Sequence, residues 1–272
     1  MARVKDPSLL PAMILCGGQG SRLRDVTEAL PKPMVPVGRH PMVWHVMKSF
    51  AAFGVRRFIL CLGYKREAFI DYFLNYHARA ADVTITLGQG GRLKYHGHHG
   101  EEDWEVTLAD TGERTMTGGR VARAAKYLAA DDDTFFLTYG DGVANIDVAG
   151  LLAHHRRHQQ LMTVTAVHPG GRFGEVALEG DRVVSFHEKP QTQSGFVNGG
   201  FMVVRREFVD RYLPAPCDDL VLEQEPMRGA AREGQLAAYV HRGFWQCMDT
   251  PREHQLLNEL WERGDAPWTE RW

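Results

Sequence analysis

The sequence predicts one α/β domain in which a mostly parallel sheet is flanked by helices and gains antiparallel strands in its second half. Two patterns carry this expectation. In the first half, short apolar runs alternate with stretches whose apolar residues recur at helical spacing, the order of βαβ units. From Met162 onward, strand-like runs follow one another across glycine-containing turns, which calls for antiparallel pairing. A third observation sets the scale. The chain has 272 residues, 44% hydrophobic and 24% charged, an ordinary globular composition and enough chain to bury roughly three quarters of the surface it exposes when unfolded. No repeat and no linker rich in Pro, Gly or Ser interrupts residues 1–272, so the whole is read as a single domain.

The elements follow in order. Residues 12–16 form a first buried strand and 17–24 the loop leaving it. Residues 41–53 place Met42, Val46, Phe50 and Phe53 at helical spacing, with Pro41 suited to the helix start and Gly54 to its stop. Residues 58–62 are the second strand, 65–76 a helix with Phe69, Phe73 and Tyr76 on one side, and 83–87 a strand by alternation. A helix is expected over 120–130, then a strand over 134–138 that runs into Tyr139-Gly140-Asp141-Gly142. In the second half strands are expected at 162–167, 176–178, 182–186 and 196–204, and helices at 207–212, 220–232 and 252–263.

Charge and cysteine usage exclude several functions. The balance of 32 Lys+Arg against 34 Asp+Glu gives a net charge of −2, without the basic surplus of a nucleic-acid binder. No run approaches the roughly 20 apolar residues that span a bilayer, and no leader pattern opens the chain. Cys16, Cys61, Cys217 and Cys247 lack C-x-x-C spacing, as expected of reduced thiols in the cytoplasm. Glycine stands out, with 28 among 272 residues against a usual share of roughly 7%.

Those glycines cluster where chemistry is expected. Gly17, Gly18 and Gly20 follow the first strand, where a backbone without Cβ atoms can approach phosphate and offer N–H groups to it. Leu23 stands where a dinucleotide fingerprint needs its third glycine, and no Gly-Lys-Ser/Thr follows as in a P-loop. Ser21 and Arg22 complete the loop, Arg22 with planar donors suited to phosphate. Pro31 and Pro33 stiffen the segment around Lys32, a second cation. Asp141 and Asp249 are candidate ligands for a nucleotide-bound Mg²⁺. They also admit plainer readings, Asp141 as a turn residue and Asp249 or Thr250 as the cap of a helix beginning at Pro251. Glu188 and Lys189 precede Pro190 at a strand end, and Asn198 sits beside Gly199 and Gly200, where an amide suits a sugar hydroxyl. Three conspicuous groups are read as non-catalytic: His96, His98 and His99 as a solvated loop tip, His154, His155 and His158 as a polar helix face, and Asp131, Asp132 and Asp133 as a turn.

The order Gly-Gly-x-Gly-x-Arg-Leu, Pro-Lys-Pro, Gly-Asp-Gly, Glu-Lys-Pro, Asn-Gly-Gly and Trp-x-x-Met-Asp-Thr resembles the bacterial sugar-phosphate nucleotidyltransferases, from about Ala12 to the C-terminus. PMVWHVMK, WEVTLADTGERTMTGGRV, FLTYGDGVANID, GRFGEV, SFHEKP, VNGGFMV, EQEP, GFWQCMDT and LWERGDAPW bring it nearest to those that join CTP to glucose 1-phosphate. The resemblance implies a Rossmann-like nucleotide-diphospho-sugar transferase fold, Mg²⁺, and a reaction giving CDP-glucose and pyrophosphate by in-line attack on the α-phosphorus. It assigns about 12–150 to the nucleotide and about 151–272 to the sugar phosphate. Cys16, Gly17, Gly18, Gly20, Ser21, Arg22, Lys32, Thr117, Gly118, Gly119, Arg120 and Asp141 would bind the nucleotide. Tyr139, Gly140, Glu188, Lys189, Asn198 and Gly199 would bind the sugar phosphate, and Asp141 and Asp249 the metal. Arg22, Lys32, Asp141 and Lys189 would carry catalysis. The partners implied are an NTP and a sugar 1-phosphate, with a homo-oligomer, of the hexameric kind, and neither nucleic acid nor membrane. The chain departs from the family pattern at Leu30, where a lysine is expected, at Gly171 and Cys247, where prolines are, and at Leu222, where a tryptophan is. A nucleotide-sugar glycosyltransferase and a non-catalytic sugar-nucleotide-binding protein share the fold-level features; an NAD-dependent sugar enzyme is disfavoured by Leu23.

Overall fold

A computed structural model of the chain describes residues 6–7, 10–18, 29–88, 91–101, 103–169, 175–179, 182–187, 195–213 and 217–272. The strands are β1 (Ala12–Leu15), β2 (Pro36–Val37), β3 (His40–Pro41), β4 (Arg57–Leu62), β5 (Asp82–Ile85), β6 (Leu93–His96), β7 (Glu105–Asp110), β8 (Thr134–Tyr139), β9 (Gly142–Ala144), β10 (Met162–Val167), β11 (Glu175–Glu179), β12 (Arg182–His187), β13 (Val197–Asn198), β14 (Met202–Arg205), β15 (Leu236–His241) and β16 (Trp245–Cys247). The α-helices are α1 (Met42–Ala51), α2 (Arg66–Leu74), α3 (Tyr76–Ala80), α4 (Thr117–Ala124), α5 (Val148–His158), α6 (Arg206–Tyr212), α7 (Glu225–Arg232) and α8 (Pro251–Glu262).

β1 lies inside an eight-stranded sheet, with β4 and β7 on one side and β8 and the remaining strands on the other. It pairs in parallel with β4 and β8, and β4 pairs in parallel with β7. β14 then adds antiparallel to β8 and β10, while β15 runs parallel to β10. This is the mostly parallel, mixed α/β sheet expected from the alternating first half and the turn-linked second half. Central parallel strands are covered on both faces, so they read as continuous apolar runs. The pleat divides them: Ala12 and Ile14 join Met42, Val46, Phe50, Phe58 and Phe136 in one core, whereas Met13 and Leu15 join Val121, Phe135, Phe208 and Met227 in the other.

Several expectations are corrected. The strand expected over 196–204 is broken into β13 and β14, because Gly200 and Phe201 take left-handed φ of 73° and 42°. A bulky residue there is costly, and tertiary contacts hold it: Phe201 is buried against Phe50, its N–H donates to Thr138 at 3.0 Å, and its carbonyl accepts from Thr165 at 2.6 Å. The helix expected over 120–130 starts earlier, at Thr117, and passes into a 3-10 turn at Ala125–Tyr127. The helix expected over 220–232 begins at Glu225 with Pro226 in its first turn; the preceding segment lies on α4, where Met116 donates to the Asp218 carbonyl and Gly119 to that of Leu220. β7 and β15 were not anticipated, and α5 was expected only as the helix carrying His154, His155 and His158.

The three non-catalytic groups fare differently. Asp132 is buried, pairs with both guanidinium nitrogens of Arg57 at 2.6–2.9 Å and accepts from the Ala129 N–H, as a turn aspartate should. His155 does not belong to a polar face: it is buried against Thr163 at 2.9 Å, while His154 lies against His158 with the rings tilted at 44°. His99 is no loop tip either, since it meets His77 at 2.9 Å with its side chain 8% exposed.

Candidate active site

The cleft opens where the parallel strands end. Leu15 of β1 lies opposite Tyr139 of β8, so the segments leaving them run side by side at the carboxyl edge, where open α/β sheets take ligands. A cavity of about 530 Å³ lies there, with Cys16, Gly18, Lys32, Thr117, Tyr139 and Asp141 among its walls.

Lys32 sits in a 3-10 turn, Lys32–Met34, preceded by extended Pro31. Its Nζ donates to Asp141 Oδ2 at 2.6 Å and to Asp249 Oδ1. Burial would lower the lysine pKa, but the two carboxylates outweigh it and hold the ammonium above its ordinary range. The two aspartates are far apart in sequence, and a short ladder brings them together. β9 pairs antiparallel with β16, placing Gly142 opposite Cys247, and Met248 donates to the Asp141 carbonyl at 2.8 Å. The helix-cap alternative falls to the neighbour: Thr250 caps α8 in a capping box with Glu253, and the Asp249 carboxylate turns to Lys32. Cys247 donates from Sγ to Asp249 Oδ2 at 3.6 Å, and burial followed by the nearby acids pushes its thiol up to about 12.

Among the described residues no three His, Cys, Asp or Glu are grouped to hold a metal ion by themselves. Two carboxylates converging on one cation, at the edge of a cavity sized for a ligand, nonetheless fit a divalent ion that completes its shell with phosphate oxygens and water. Lys32 marks the point on which those charges converge.

Arg120 does more than line the cavity. It is 4% exposed, and its guanidinium donates to the carbonyls of Leu62, Gly112, Gly17 and Glu113 and to the Thr111 hydroxyl, at 2.8–3.2 Å. It therefore pins the loop after β1 to the ends of β4 and β7. A Cβ on Gly17 or Gly63 would overlap that guanidinium. Gly118 and Gly119 face the backbone of Leu220 and Cys217 rather than the cavity, and Gly140 packs on Cys16, Leu15 and Pro33. Gly18 differs, with nothing within 4 Å of its Cβ position. Of the proposed glycines, then, Gly17 and Gly18 both line the cavity, Gly17 against Arg120 and Gly18 with open space at its Cβ position, while Gly118, Gly119 and Gly140 serve packing.

The Tyr139 side of the cleft is tied together by a residue that sequence reasoning missed. Tyr139 donates to Glu223 Oε1 at 2.6 Å, Thr117 to Glu223 Oε2 at 2.6 Å, and Asn198 Nδ2 to the Tyr139 oxygen at 3.0 Å. Gly199 lies beside Asn198, its carbonyl accepting from Trp245 at 2.8 Å. Glu223 belongs to the EQEP stretch, whose acid-then-proline order reads locally as the start of a helix. Gly20, Ser21, Arg22, Glu188 and Lys189 lie outside the described residues.

A nucleotidyl transferase family model matches residues 11–250. The chain belongs to the nucleotidyl transferase family. Among relatives of this nucleotidyltransferase, the glucose-1-phosphate cytidylyltransferases of Salmonella typhi and Salmonella typhimurium are each 43% identical over 259 residues, spanning 95% of this chain and 98% of theirs. The crystal structure of HddC from Yersinia pseudotuberculosis complexed with GMP-PN matches with a TM-score of 0.64 at 22% identity, over 93% of this chain and 100% of that one, which establishes likeness of fold. No helix among the described residues of the nucleotidyltransferase is long and apolar enough to cross a membrane.

Proposed function

We propose that the enzyme transfers a cytidylyl group from CTP to α-D-glucose 1-phosphate, giving CDP-glucose and pyrophosphate. The observation that carries the chemistry is the convergence of Asp141 and Asp249 on Lys32 across 109 and 217 residues of chain. The choice of base and sugar is supported by 43% identity to the Salmonella cytidylyltransferases along nearly the whole chain.

A phosphate oxygen of the sugar phosphate attacks the α-phosphorus of CTP, and the bond from that phosphorus to the bridging oxygen of pyrophosphate breaks. The attacking group is already an anion at neutral pH, so no base is required. What opposes reaction is repulsion between anions and misalignment, and catalysis is therefore positioning and charge neutralisation. Lys32 brings a fixed positive charge to the phosphates. Gly18 lets them approach the backbone. Arg22 is assigned to the departing pyrophosphate and Lys189, with Glu188, to the sugar phosphate. Asn198 and Tyr139 face the sugar. Asp141 and Asp249 would hold Mg²⁺, which when bound neutralises phosphate charge and makes the α-phosphorus more electrophilic. On this reading about 12–150 serves the nucleotide and about 151–272 the sugar phosphate, with Asp249 crossing to the nucleotide side.

The partner reading is a homo-oligomer acting in the cytoplasm. It is supported by the β5–β6 hairpin, where Ile85 and Leu93 pair across the strands yet remain 56% and 59% exposed, an apolar face that an isolated hairpin sustains poorly in water.

Pyrophosphate release measured for CTP, UTP, dTTP, ATP and GTP against a panel of hexose 1-phosphates tests the function. The expected result is turnover with CTP and glucose 1-phosphate above every other pair. No release with any pair would sink the transferase reading, and preference for another NTP would move the base assignment alone.

A further inference from the structure

Glu223 joins two walls of the cleft without lining it. The cavity wall includes Thr117 and Tyr139, and Glu223 stands behind both, accepting the Tyr139 hydroxyl on Oε1 and the Thr117 hydroxyl on Oε2, each at 2.6 Å. The hydrogen positions in this chain have one consistent arrangement. With both hydroxyl hydrogens directed at Glu223, the Tyr139 oxygen is left to accept from Asn198 Nδ2 at 3.0 Å, and the Thr117 oxygen from the Leu222 N–H at 2.9 Å. Asn198 cannot flip its amide, because its Oδ1 accepts from the Gly200 N–H at 3.0 Å. Burial and then Glu223 raise the Tyr139 pKa, so the phenol keeps the proton it donates.

We propose that Glu223 is a positioning residue of the transfer reaction, fixing Tyr139 and, through it, Asn198 on the sugar-phosphate side against Thr117 on the nucleotide side. The inference rests on the proposed cytidylyl transfer and deepens it. In-line attack requires two substrates held in separate subsites at a set relative position, and misplacing one of them lowers both its binding and the rate. Thr117, Tyr139 and Asn198 come from α4, β8 and β13, and one carboxylate with two fixed acceptors coordinates all three.

The test is a cycle of Glu223→Ala, Tyr139→Phe and the double variant, with Glu223→Gln as the conservative change. Steady-state kinetics and calorimetric binding of CTP are measured for each. Glu223→Ala should raise KM for glucose 1-phosphate and lower kcat, each by about 10-fold, while the Kd for CTP moves by less than about 3-fold. Tyr139→Phe should reproduce most of that loss, and the double variant should be no worse than about the Glu223→Ala level, because both remove the same linkage. Glu223→Gln keeps an acceptor for Tyr139 and should fall between. If Glu223→Ala does not fold, the cycle is completed with Glu223→Gln. Additive losses, or equal losses for CTP and sugar phosphate, would overturn the positioning role. A wild-type enzyme that releases no pyrophosphate from CTP and glucose 1-phosphate would instead overturn the reading of the function on which the role depends.

Discussion

Two buried cations border the same cleft, and they are held in opposite ways. Arg120 spreads its charge over four carbonyls and a hydroxyl, a geometry that uses the fixed fork of a guanidinium. Lys32 points a single ammonium at two carboxylates. Exchanging the partners of Arg120 would dismantle three segments of backbone, whereas Lys32 needs only to turn a flexible stem for its carboxylates to meet another cation. The first arrangement belongs to the scaffold and the second is the one the proposed transfer would use, although the sequence presents both as a basic residue in a conspicuous motif.

Arg120→Met is the severest way to break the contrast. It strands buried carbonyls, each costing on the order of 1–3 kcal/mol, so the unfolding free energy should fall by roughly 3–5 kcal/mol with no rescue by nucleotide. Denaturant unfolding measures this; a loss of activity at wild-type stability would make Arg120 a ligand-binding residue after all.

Lys32→Met should reverse the pattern. The stability lost with the ammonium should return when Mg²⁺ is added, and kcat should fall by about 10²-fold or more, the usual scale for removing a charge that acts on the transition state. Without the ammonium, the two aspartates repel each other, so added Mg²⁺ should raise the melting temperature of the variant more than that of the wild type. Thermal melts with and without the ion decide it, and equal shifts would place the ion elsewhere.

What was legible in the sequence follows the same division. β1, β4 and β8 were readable because strands buried on both faces are apolar without interruption, and their ends located the cleft. Asp141 and Asp249 were readable as candidates because each sits at a strand end among motif residues. Glu223 was not: its partners lie 84 and 106 residues away, and local spacing carries no trace of them. For Arg120 and Gly17 half of the account was legible: both border the cavity, but a motif shows that a guanidinium and a glycine matter without showing that each fits the other. The break at Phe201 was hidden for a related reason, its left-handed backbone being held by Thr138 and Thr165 from other strands and by Phe50 from α1.

A third buried basic group sharpens the comparison. His45 is fully buried, with Nε2 donating to the Val37 carbonyl at 2.9 Å and Nδ1 accepting from Trp268 at 3.2 Å. Having one acceptor and one donor, it must stay neutral, and burial lowers its pKa to about 4. The unfolded chain protonates near 6.5, so stability should be undiminished above that pH and decline as pH falls from about 6.5 toward about 4, by up to roughly 3 kcal/mol. His155, also lowered to about 4 by burial, should add a similar decline. Unfolding of His45→Gln across this window should show a flatter pH profile than wild type; an unchanged slope would assign the acid lability to other groups.

Gly17 and Gly18 offer the smallest and most discriminating perturbation, because one of these adjacent residues abuts Arg120 and the other faces open space. A methyl group on Gly17 would overlap the Arg120 guanidinium, while one on Gly18 meets nothing within 4 Å. Gly17→Ala should therefore lose about 1–3 kcal/mol of stability by displacing buried hydrogen bonds. Gly18→Ala should leave stability within about 0.5 kcal/mol and weaken CTP binding, because the methyl group occupies space at the cleft that the phosphates need. If the two variants instead lost stability equally, the loop after β1 would be scaffold throughout, and the phosphates would have to be held by Lys32 and the residues beyond Gly18.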